Sequence, residues 1–218
     1  MEPAFWQDKW TRGEIGFHLP FVNPKLIEHW PALSLPANAR VFVPLAGKTL
    51  DLAWLRQQGH VVVACELSEV AARECFAEAG LQPVAQQCGP FLHLAADGIE
   101  YLVGDFFALD AALLGPVDAL YDRGALVALP PDLRARYVAQ LEALTGPGTR
   151  TLLITLEYDQ SQMNGPPFAV PESLVRATFG ATHDINLRVR EDILAEEPRF
   201  GARGVTALDS CVWTLRRR

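Results

Sequence analysis

The segment from Arg40 to Asp51 restricts the fold of this chain most strongly. A short apolar run ends at Pro44, and the chain then passes through Gly47 into a segment suited to start a helix. Thr49 and Asp51 are favourable residues for a helix N-terminus. This pattern predicts a buried strand that turns directly into a helix, which is the first half of a βαβ unit.

A second apolar run follows the predicted helix and ends in an acid. His60–Cys65 is rich in β-branched residues, as in an interior parallel strand, and Glu66 comes directly after it. Glu66 lies about 20 residues past the glycine turn, where an acid accepts hydrogen bonds from ribose hydroxyls. A solvent-facing acid at a strand end is the alternative interpretation. The turn lacks GxGxxG, which disfavours a pyrophosphate and favours a nucleoside without phosphates, such as S-adenosylmethionine rather than NAD.

Composition and charge exclude several classes of protein. The 218 residues are 50% hydrophobic, which suits a folded core, and the formal net charge of −7 argues against a nucleic-acid partner. The four cysteines and five histidines show no metal-ligand spacing, so we expect no metal and reduced thiols. No apolar run approaches the roughly 20 residues that cross a bilayer, and the N-terminus does not resemble a signal peptide. We therefore expect a cytoplasmic protein without a membrane partner.

The remaining apolar runs alternate with helical patterns. They predict five more strands: Ile99–Val103, Val117–Tyr121, Thr151–Leu156, Thr182–Val189 and Thr206–Leu215. Alternation implies a parallel sheet with right-handed crossovers, and the last two strands, joined by a loop, should pair antiparallel. We predict an α/β fold: a Rossmann-like three-layer αβα sandwich with a seven-stranded, mostly parallel sheet and an antiparallel last strand. Residues 81–98 carry turn signals and fit a hairpin of Phe91–Leu94 with Ile99–Val103.

Residues 1–39 differ from the rest of the chain, although we predict a single domain over residues 1–218. Aromatic residues at 5–10 are followed by scattered glycines and prolines, with a short helix predicted near Pro24–Trp30, capped by Asn23. This extension is interpreted either as a flap packed on the core or as a lid whose aromatic rings close over a flat ligand.

Ligands of open parallel sheets bind beyond the carboxyl ends of the strands. Candidate site residues therefore follow the predicted strands: Leu45 to Lys48, Glu66, Asp105 with Phe106, Arg123, and Glu157 onward. Asp105 is suited to accept a hydrogen bond from an adenine amino group, and Phe106 either covers the ring or belongs to the core. Arg123 is either a site cation, the partner of a neighbouring acid such as Asp122, or an ordinary surface cation. The long loop Arg190–Val205 also suggests a functional role.

Five segments resemble the thiopurine S-methyltransferase family, in the right order and over essentially the whole chain. They are FWQDKW at 5–10, GFH at 16–18, VPLAGK at 43–48, DRGALVA at 122–128 and GPPF at 165–168. The resemblance implies the class I S-adenosylmethionine-dependent methyltransferase fold, with S-adenosylmethionine as cofactor and S-adenosylhomocysteine as product. It implies a small-molecule acceptor, an aromatic or heterocyclic thiol, and a monomeric enzyme without a metal.

The resemblance also implies site residues. The cofactor would contact the residues that match the family's motifs: Trp10, Leu45, Glu66, Asp105, Phe106 and Arg123. Phe21 and Arg123 would border the acceptor, with Arg123 as the catalytic residue. The family's arginine before the last strand maps poorly, and Arg199 and Arg203 are the candidates to replace it. Some bacterial relatives methylate selenium and tellurium compounds, which implies detoxification and tellurite or selenium resistance.

Two other functions remain open from the residues themselves. One is a nicotinamide-dependent oxidoreductase on a Rossmann sheet, which the single-glycine turn disfavours. The other is a non-catalytic nucleoside-binding protein on a degenerate methyltransferase sheet. For methyl transfer to a thiol, the cofactor already carries its leaving group, so the protein mostly supplies orientation and exclusion of water. Because thiopurines ionise readily, no dedicated general base is expected.

Overall fold

The computed structural model describes residues 3–218, with side chains from residue 5 onward. The strands within this range are β1 (Arg40–Pro44), β2 (Val61–Glu66), β3 (Val84–Cys88), β4 (Phe91–Ala96), β5 (Ile99–Val103), β6 (Ala119–Arg123), β7 (Arg150–Glu157), β8 (His183–Asp192) and β9 (Asp209–Arg217). The α-helices there are α1 (Pro3–Thr11), α2 (Pro24–His29), α3 (Asp51–Gln57), α4 (Glu69–Glu78), α5 (Ala111–Leu114), α6 (Pro131–Leu144), α7 (Glu172–Phe179) and α8 (Pro198–Gly201).

The predicted βαβ unit is confirmed. β1 and β2 are parallel neighbours, from the Arg40–Val61 pair to the Pro44–Cys65 pair, and α3 connects them. The next helix, α4, begins where the sequence predicts it, because the Ser68 hydroxyl accepts the Ala71 N–H at 3.3 Å. A side-chain oxygen at a helix start satisfies one of the otherwise unpaired N–H groups.

The sheet contains the predicted seven strands and two more. Its order is β3-β4-β5-β2-β1-β6-β7-β9-β8, in which β5, β2, β1, β6 and β7 run parallel. β9 lies antiparallel between β7 and β8, as the sequence predicts for its last strand. The count is nine instead of seven because β3 and β4 form an antiparallel ribbon on β5, and the β4–β5 pairing confirms the hairpin predicted for Phe91–Leu94 with Ile99–Val103. β3 escapes prediction because its residues are mostly polar and exposed, so it has no apolar pattern.

Helices cover both faces of the sheet, which confirms the three-layer αβα arrangement. On one face α5, α6 and α7 bury a cluster that includes Phe42, Tyr137 and Phe179. On the other face α2, α3 and α4 bury a cluster that includes Leu26 and Phe76. The interior strands are apolar on both sides because each side packs against helices.

The N-terminal segment and the 190–205 loop contain more regular structure than predicted. The aromatic residues at 5–10 belong to helix α1, which the sequence analysis does not predict, and the first two residues of the predicted 1–39 extension lie outside the described range. β8 extends to Asp192, and the one-turn helix α8 follows at Pro198–Gly201. β6 ends at Arg123 rather than at Tyr121, so this cation lies at the strand end itself.

Candidate functional site

A cavity of about 1110 Å³ opens at the carboxyl ends of β1, β2 and β6, between the N-terminal segment and the loop after β8. A site for one drug-sized ligand has a volume of about 300–1,000 Å³. The cavity therefore has space for a nucleoside and a second molecule. Its walls include the site residues that the family resemblance implies: Trp10, Phe21, Leu45, Glu66, Asp105, Phe106 and Arg123. Glu157, expected from its place after β7, does not line the cavity and pairs with Arg190 at 3.2 Å.

Glu66 lies at the end of β2 and is 6% exposed. Its Oε2 accepts the Gly47 N–H at 2.7 Å, and its Oε1 accepts the Ser68 N–H at 2.9 Å. Burial raises the pKa of the Glu66 carboxyl, while these backbone N–H donors oppose the rise. An ionised carboxylate has about four lone-pair sites. Two amide donors therefore leave acceptor capacity for hydroxyl groups of a ligand.

The turn after β1 contains two residues with positive φ, Leu45 and Gly47. Leu45 has a φ of 47°, a conformation that non-glycine residues rarely adopt and that concentrates at functional sites. Gly47 also has a positive φ, 57°, and a Cβ on it would lie 3.0 Å from Cζ2 of Trp10. The indole of Trp10, which is 7% exposed, therefore packs directly on the glycine. The turn thus presents backbone to the cavity under a tryptophan from α1.

Asp105 and Phe106 follow β5, but their side chains differ in position. Asp105 is exposed and caps a short 3₁₀ helix, because its Oδ1 accepts the Phe107 N–H at 2.9 Å. The Phe106 ring is 3% exposed and packs against Phe42 and Tyr137, with centroid distances of 6.4 and 5.1 Å. The Phe106 ring therefore belongs to the core, which is one of its two interpretations, although the residue also lines the cavity.

Arg123 faces the cavity without a carboxylate partner. Within residues 5–218 its polar contact is with the Phe17 carbonyl, which accepts from Nη1 at 3.2 Å. Asp122 points to the other side, where it accepts the Tyr137 hydroxyl at 2.7 Å and the Leu126 N–H at 3.1 Å. Burial raises the pKa of Asp122 to about 6. The alternative interpretation, an Arg123–Asp122 ion pair, is therefore wrong.

The far wall of the cavity combines an exposed ring with two arginines. Phe21 is 53% exposed. Pro166 and its neighbour Pro167 form the wall expected of the loop after β7. Arg199 is paired with Glu197 at 2.8 Å and donates to the Gly16 carbonyl, whereas Arg203 donates only to the Pro166 carbonyl, at 3.4 Å, in the described chain.

Phe17 and His18 also line the cavity but are not assigned a role by the sequence analysis, and Lys48 is named there only as a candidate site residue. Phe17 packs edge-on against Trp6 and Trp10, each at 5.6 Å between centroids, and His18 follows it. Lys48 is a less available cation, because Glu74 and Glu78 bind its Nζ at 2.9 and 2.7 Å. The motif at 16–18 marks Phe17 and His18 in the sequence, but only the fold shows that this segment lies beside Arg123.

The described part of the chain contains neither a metal-binding cluster nor a helix able to cross a membrane. Residues 3–218 contain no group of three or more His, Cys, Asp or Glu side chains arranged to hold a metal ion. Over the same residues, every helix is too short or too polar to cross a bilayer.

Comparison with known proteins identifies the class first. A solved S-adenosylmethionine-dependent methyltransferase from Thiobacillus denitrificans, in complex with S-adenosylhomocysteine, superposes with a TM-score of 0.65. The alignment covers 100% of this chain and 99% of that one at 19% identity, so it establishes a shared fold. The fold is that of the S-adenosylmethionine-dependent methyltransferases, as predicted. The family model described as Thiopurine S-methyltransferase (TPMT) matches residues 1–218, and the chain belongs to this family of S-adenosylmethionine-dependent enzymes.

Curated relatives support the same family at higher identity. The thiopurine S-methyltransferase of Pseudomonas fluorescens is 49% identical over 215 residues, covering 99% of both chains. That of Xanthomonas campestris pv. campestris is 49% identical over 217 residues, covering all of both chains. Because the chain matches the thiopurine S-methyltransferase family over its full length, a nicotinamide-dependent oxidoreductase is the weaker of the two enzyme interpretations.

Proposed function

We propose that this enzyme transfers the methyl group of S-adenosylmethionine to the sulfur of an aromatic or heterocyclic thiol. The observation that carries the proposal is the Arg123 guanidinium, which has no carboxylate partner among residues 5–218 and faces a cavity large enough for two ligands. The names of the relatives, thiopurine S-methyltransferase, favour thiopurines as the acceptor class.

The residues around Glu66 fit the methyl donor. Glu66 offers a buried carboxylate for the ribose hydroxyls, and Gly47 presents bare backbone beneath the Trp10 indole. Leu45 and Phe106 add apolar surface, while the exposed Asp105 carboxylate is available to the adenine amino group. When bound, S-adenosylmethionine supplies a methyl group on a positively charged sulfur.

Arg123 assists the reaction by favouring the anionic acceptor. A thiolate is the nucleophilic form of a thiol, and a nearby cation lowers the free energy of that anion. Phe21, Pro166 and Pro167 border the acceptor, and alignment of two bound partners accounts for about 7–11 kcal/mol of a barrier in favourable cases. We propose that residues 1–39 act as a lid, because Trp10 packs on Gly47 at the cavity mouth.

The test measures transfer from labelled S-adenosylmethionine to a panel of thiopurines, thiophenols, selenite and tellurite. Transfer to a thiol supports the proposal. Transfer to the selenium or tellurium compounds would extend the activity to the resistance and detoxification roles that the resemblance implies. Binding of S-adenosylhomocysteine without transfer to any acceptor would instead identify a non-catalytic nucleoside-binding protein.

The role of Arg123 is tested by substitution. Arg123→Ala should lower kcat for thiols, with the largest loss at pH values below the pKa of the acceptor, because the anion then needs most stabilisation. Arg73→Ala, on the exposed surface of α4, is the matched control and should leave kcat unchanged. An unchanged pH–rate profile in Arg123→Ala would remove this role.

We also propose a cytoplasmic monomer acting on small molecules rather than on nucleic acid. All four cysteines are free thiols, and Cys65 and Cys211 are buried, as suits a reducing compartment. Analytical ultracentrifugation of the purified chain tests the monomer directly.

A further inference from the structure

His18 is placed in the cavity with its imidazole open to a ligand. Its backbone N–H donates to the Ile15 carbonyl at 2.8 Å, and its half-buried side chain lines the cavity. Neither ring nitrogen has a hydrogen-bond partner among residues 5–218. His18 is the one histidine among the described residues that line the cavity. Histidine is the side chain whose ordinary pKa allows proton exchange near neutral pH.

The backbone around His18 is fastened to the acceptor side of the cavity. The carbonyl of the preceding residue, Phe17, accepts the hydrogen bond from Arg123. The Phe17 ring is held between Trp6 and Trp10, and Trp10 in turn packs on Gly47. These contacts place His18 beside the cation that faces the acceptor.

The surroundings keep this imidazole neutral. Burial lowers the pKa of His18, and the charges of Lys48 and Arg123 lower it further. Glu78 and Asp51 oppose that effect, but Glu78 is paired with Lys48, and Asp51 accepts hydrogen bonds from the Asn23 N–H and the Tyr121 hydroxyl. A neutral imidazole with an unpartnered nitrogen is a base, whereas an imidazolium is not.

We propose that His18 is the proton acceptor for thiols that enter the site protonated, an inference that rests on the proposed thiol methylation. An imidazole nitrogen forms a bond to the thiol proton, and the electrons of the S–H bond stay on sulfur. That sulfur forms the new S–CH₃ bond while the bond from the methyl carbon to the donor sulfur breaks with its electrons. The positive charge of the sulfonium is replaced by that of the imidazolium, so charge and atoms balance. Acidic thiols such as thiopurines need this help least.

The experiment compares His18→Gln with the wild type on substituted thiophenols whose pKa values span the assay pH. The loss of kcat should grow with thiol pKa and reach about 100-fold for the least acidic thiols, the lower range of general-base effects. His93→Gln is the matched control, because His93 pairs with Glu100 on the edge ribbon, away from the cavity. The affinity of each variant for S-adenosylhomocysteine, measured by calorimetry, checks that the variant is folded.

A loss that is uniform across the panel, or no loss, would overturn the role of His18. If the wild type itself methylates no thiol, the proposed function fails as well. A second measurement uses the wild type alone. For a weakly acidic thiol, kcat/KM should rise with pH through a group whose pKa lies below that of an ordinary histidine and then level off, because only the neutral imidazole accepts the proton. A profile that follows the ionisation of the thiol instead would contradict the proposal.

Discussion

The Glu66 side chain combines a structural contact with a predicted binding contact. Its two oxygens fix the turn after β1 and the start of α4 by accepting the Gly47 and Ser68 amides. An acid at a strand end is otherwise a solvated group, but here it is buried. Charge-assisted hydrogen bonds, which are stronger than neutral ones, offset part of the free energy that its desolvation costs, and the pKa of the carboxyl stays raised.

Glu66→Gln should weaken binding of S-adenosylhomocysteine by about 10–100-fold, since hydrogen bonds to a charged group contribute about 1.5–3 kcal/mol. Calorimetry measures the change, with Glu69→Gln on the exposed surface of α4 as the control. Acidification should also weaken binding to the wild type. The raised pKa means that the carboxylate is protonated, and becomes a weaker acceptor, at a higher pH than an ordinary glutamate. Equal affinity in Glu66→Gln and wild type would refute this contact.

Among the elements, the turn between β1 and α3 shapes the cavity most directly. It contains two residues with positive φ, Leu45 and Gly47, and it carries Trp10 on its outer side. Tyr101 reinforces it from β5, since its hydroxyl donates to the Gly47 carbonyl at 2.9 Å. The turn therefore joins β1, β5 and α1 at one point.

Gly47→Ala and Gly59→Ala separate backbone strain from contact with Trp10. Both glycines have positive φ, so each substitution should lower the free energy of unfolding by about 1–2 kcal/mol. Only a Cβ at Gly47 meets the indole, at 3.0 Å, whereas a Cβ at Gly59 meets no atom of the described chain within 4 Å. Donor affinity should therefore fall in Gly47→Ala and stay unchanged in Gly59→Ala. A parallel loss in both variants, measured by calorimetry and chemical denaturation, would contradict this account.

Elements with a strong apolar pattern are predicted from sequence, and those without one are not. β2 and β7 are apolar because they are interior strands, so their pattern is plain. β3 pairs only at the sheet edge and exposes Val84 by 75%, so its sequence resembles a loop. Helix α1 is not predicted from the sequence for a related reason. Its aromatic rings contact the cavity and each other, so they do not give the apolar pattern of a helix packed on the core.

The residues of the candidate site also divide into those that the sequence predicts and those that only the structure reveals. Leu45, Glu66 and Arg123 are foreseen because the ends of parallel strands meet at one edge of a sheet. Phe17 and His18 belong to an irregular segment, and only the hydrogen bond from Arg123 shows where it lies. The ion pairs of Lys48 with α4 cannot be predicted from the sequence either, because they depend on how the turn after β1 packs against a helix that comes later in the chain.

At the scale of the whole molecule, the N-terminal segment and the sheet form the cavity jointly. Asp51 joins them: it is 1% exposed, its Oδ1 accepts the Asn23 N–H at 2.8 Å and its Oδ2 accepts the Tyr121 hydroxyl at 2.9 Å. Since Asn23 caps α2 and Tyr121 belongs to β6, one carboxylate links the extension to the sheet centre. The arrangement gives the cavity a fixed floor and a wall built from residues 5–25.

The central claim is that the nucleoside of the methyl donor binds at the carboxyl ends of β1 and β2. A crystal structure of the protein with S-adenosylhomocysteine tests it most directly. The account predicts ribose hydroxyls within hydrogen-bond distance of the Glu66 carboxylate and the homocysteine sulfur on the side of Arg123, under the Trp10 indole. A nucleoside bound elsewhere, with the Glu66 carboxylate contacting only the Gly47 and Ser68 amides, would contradict it.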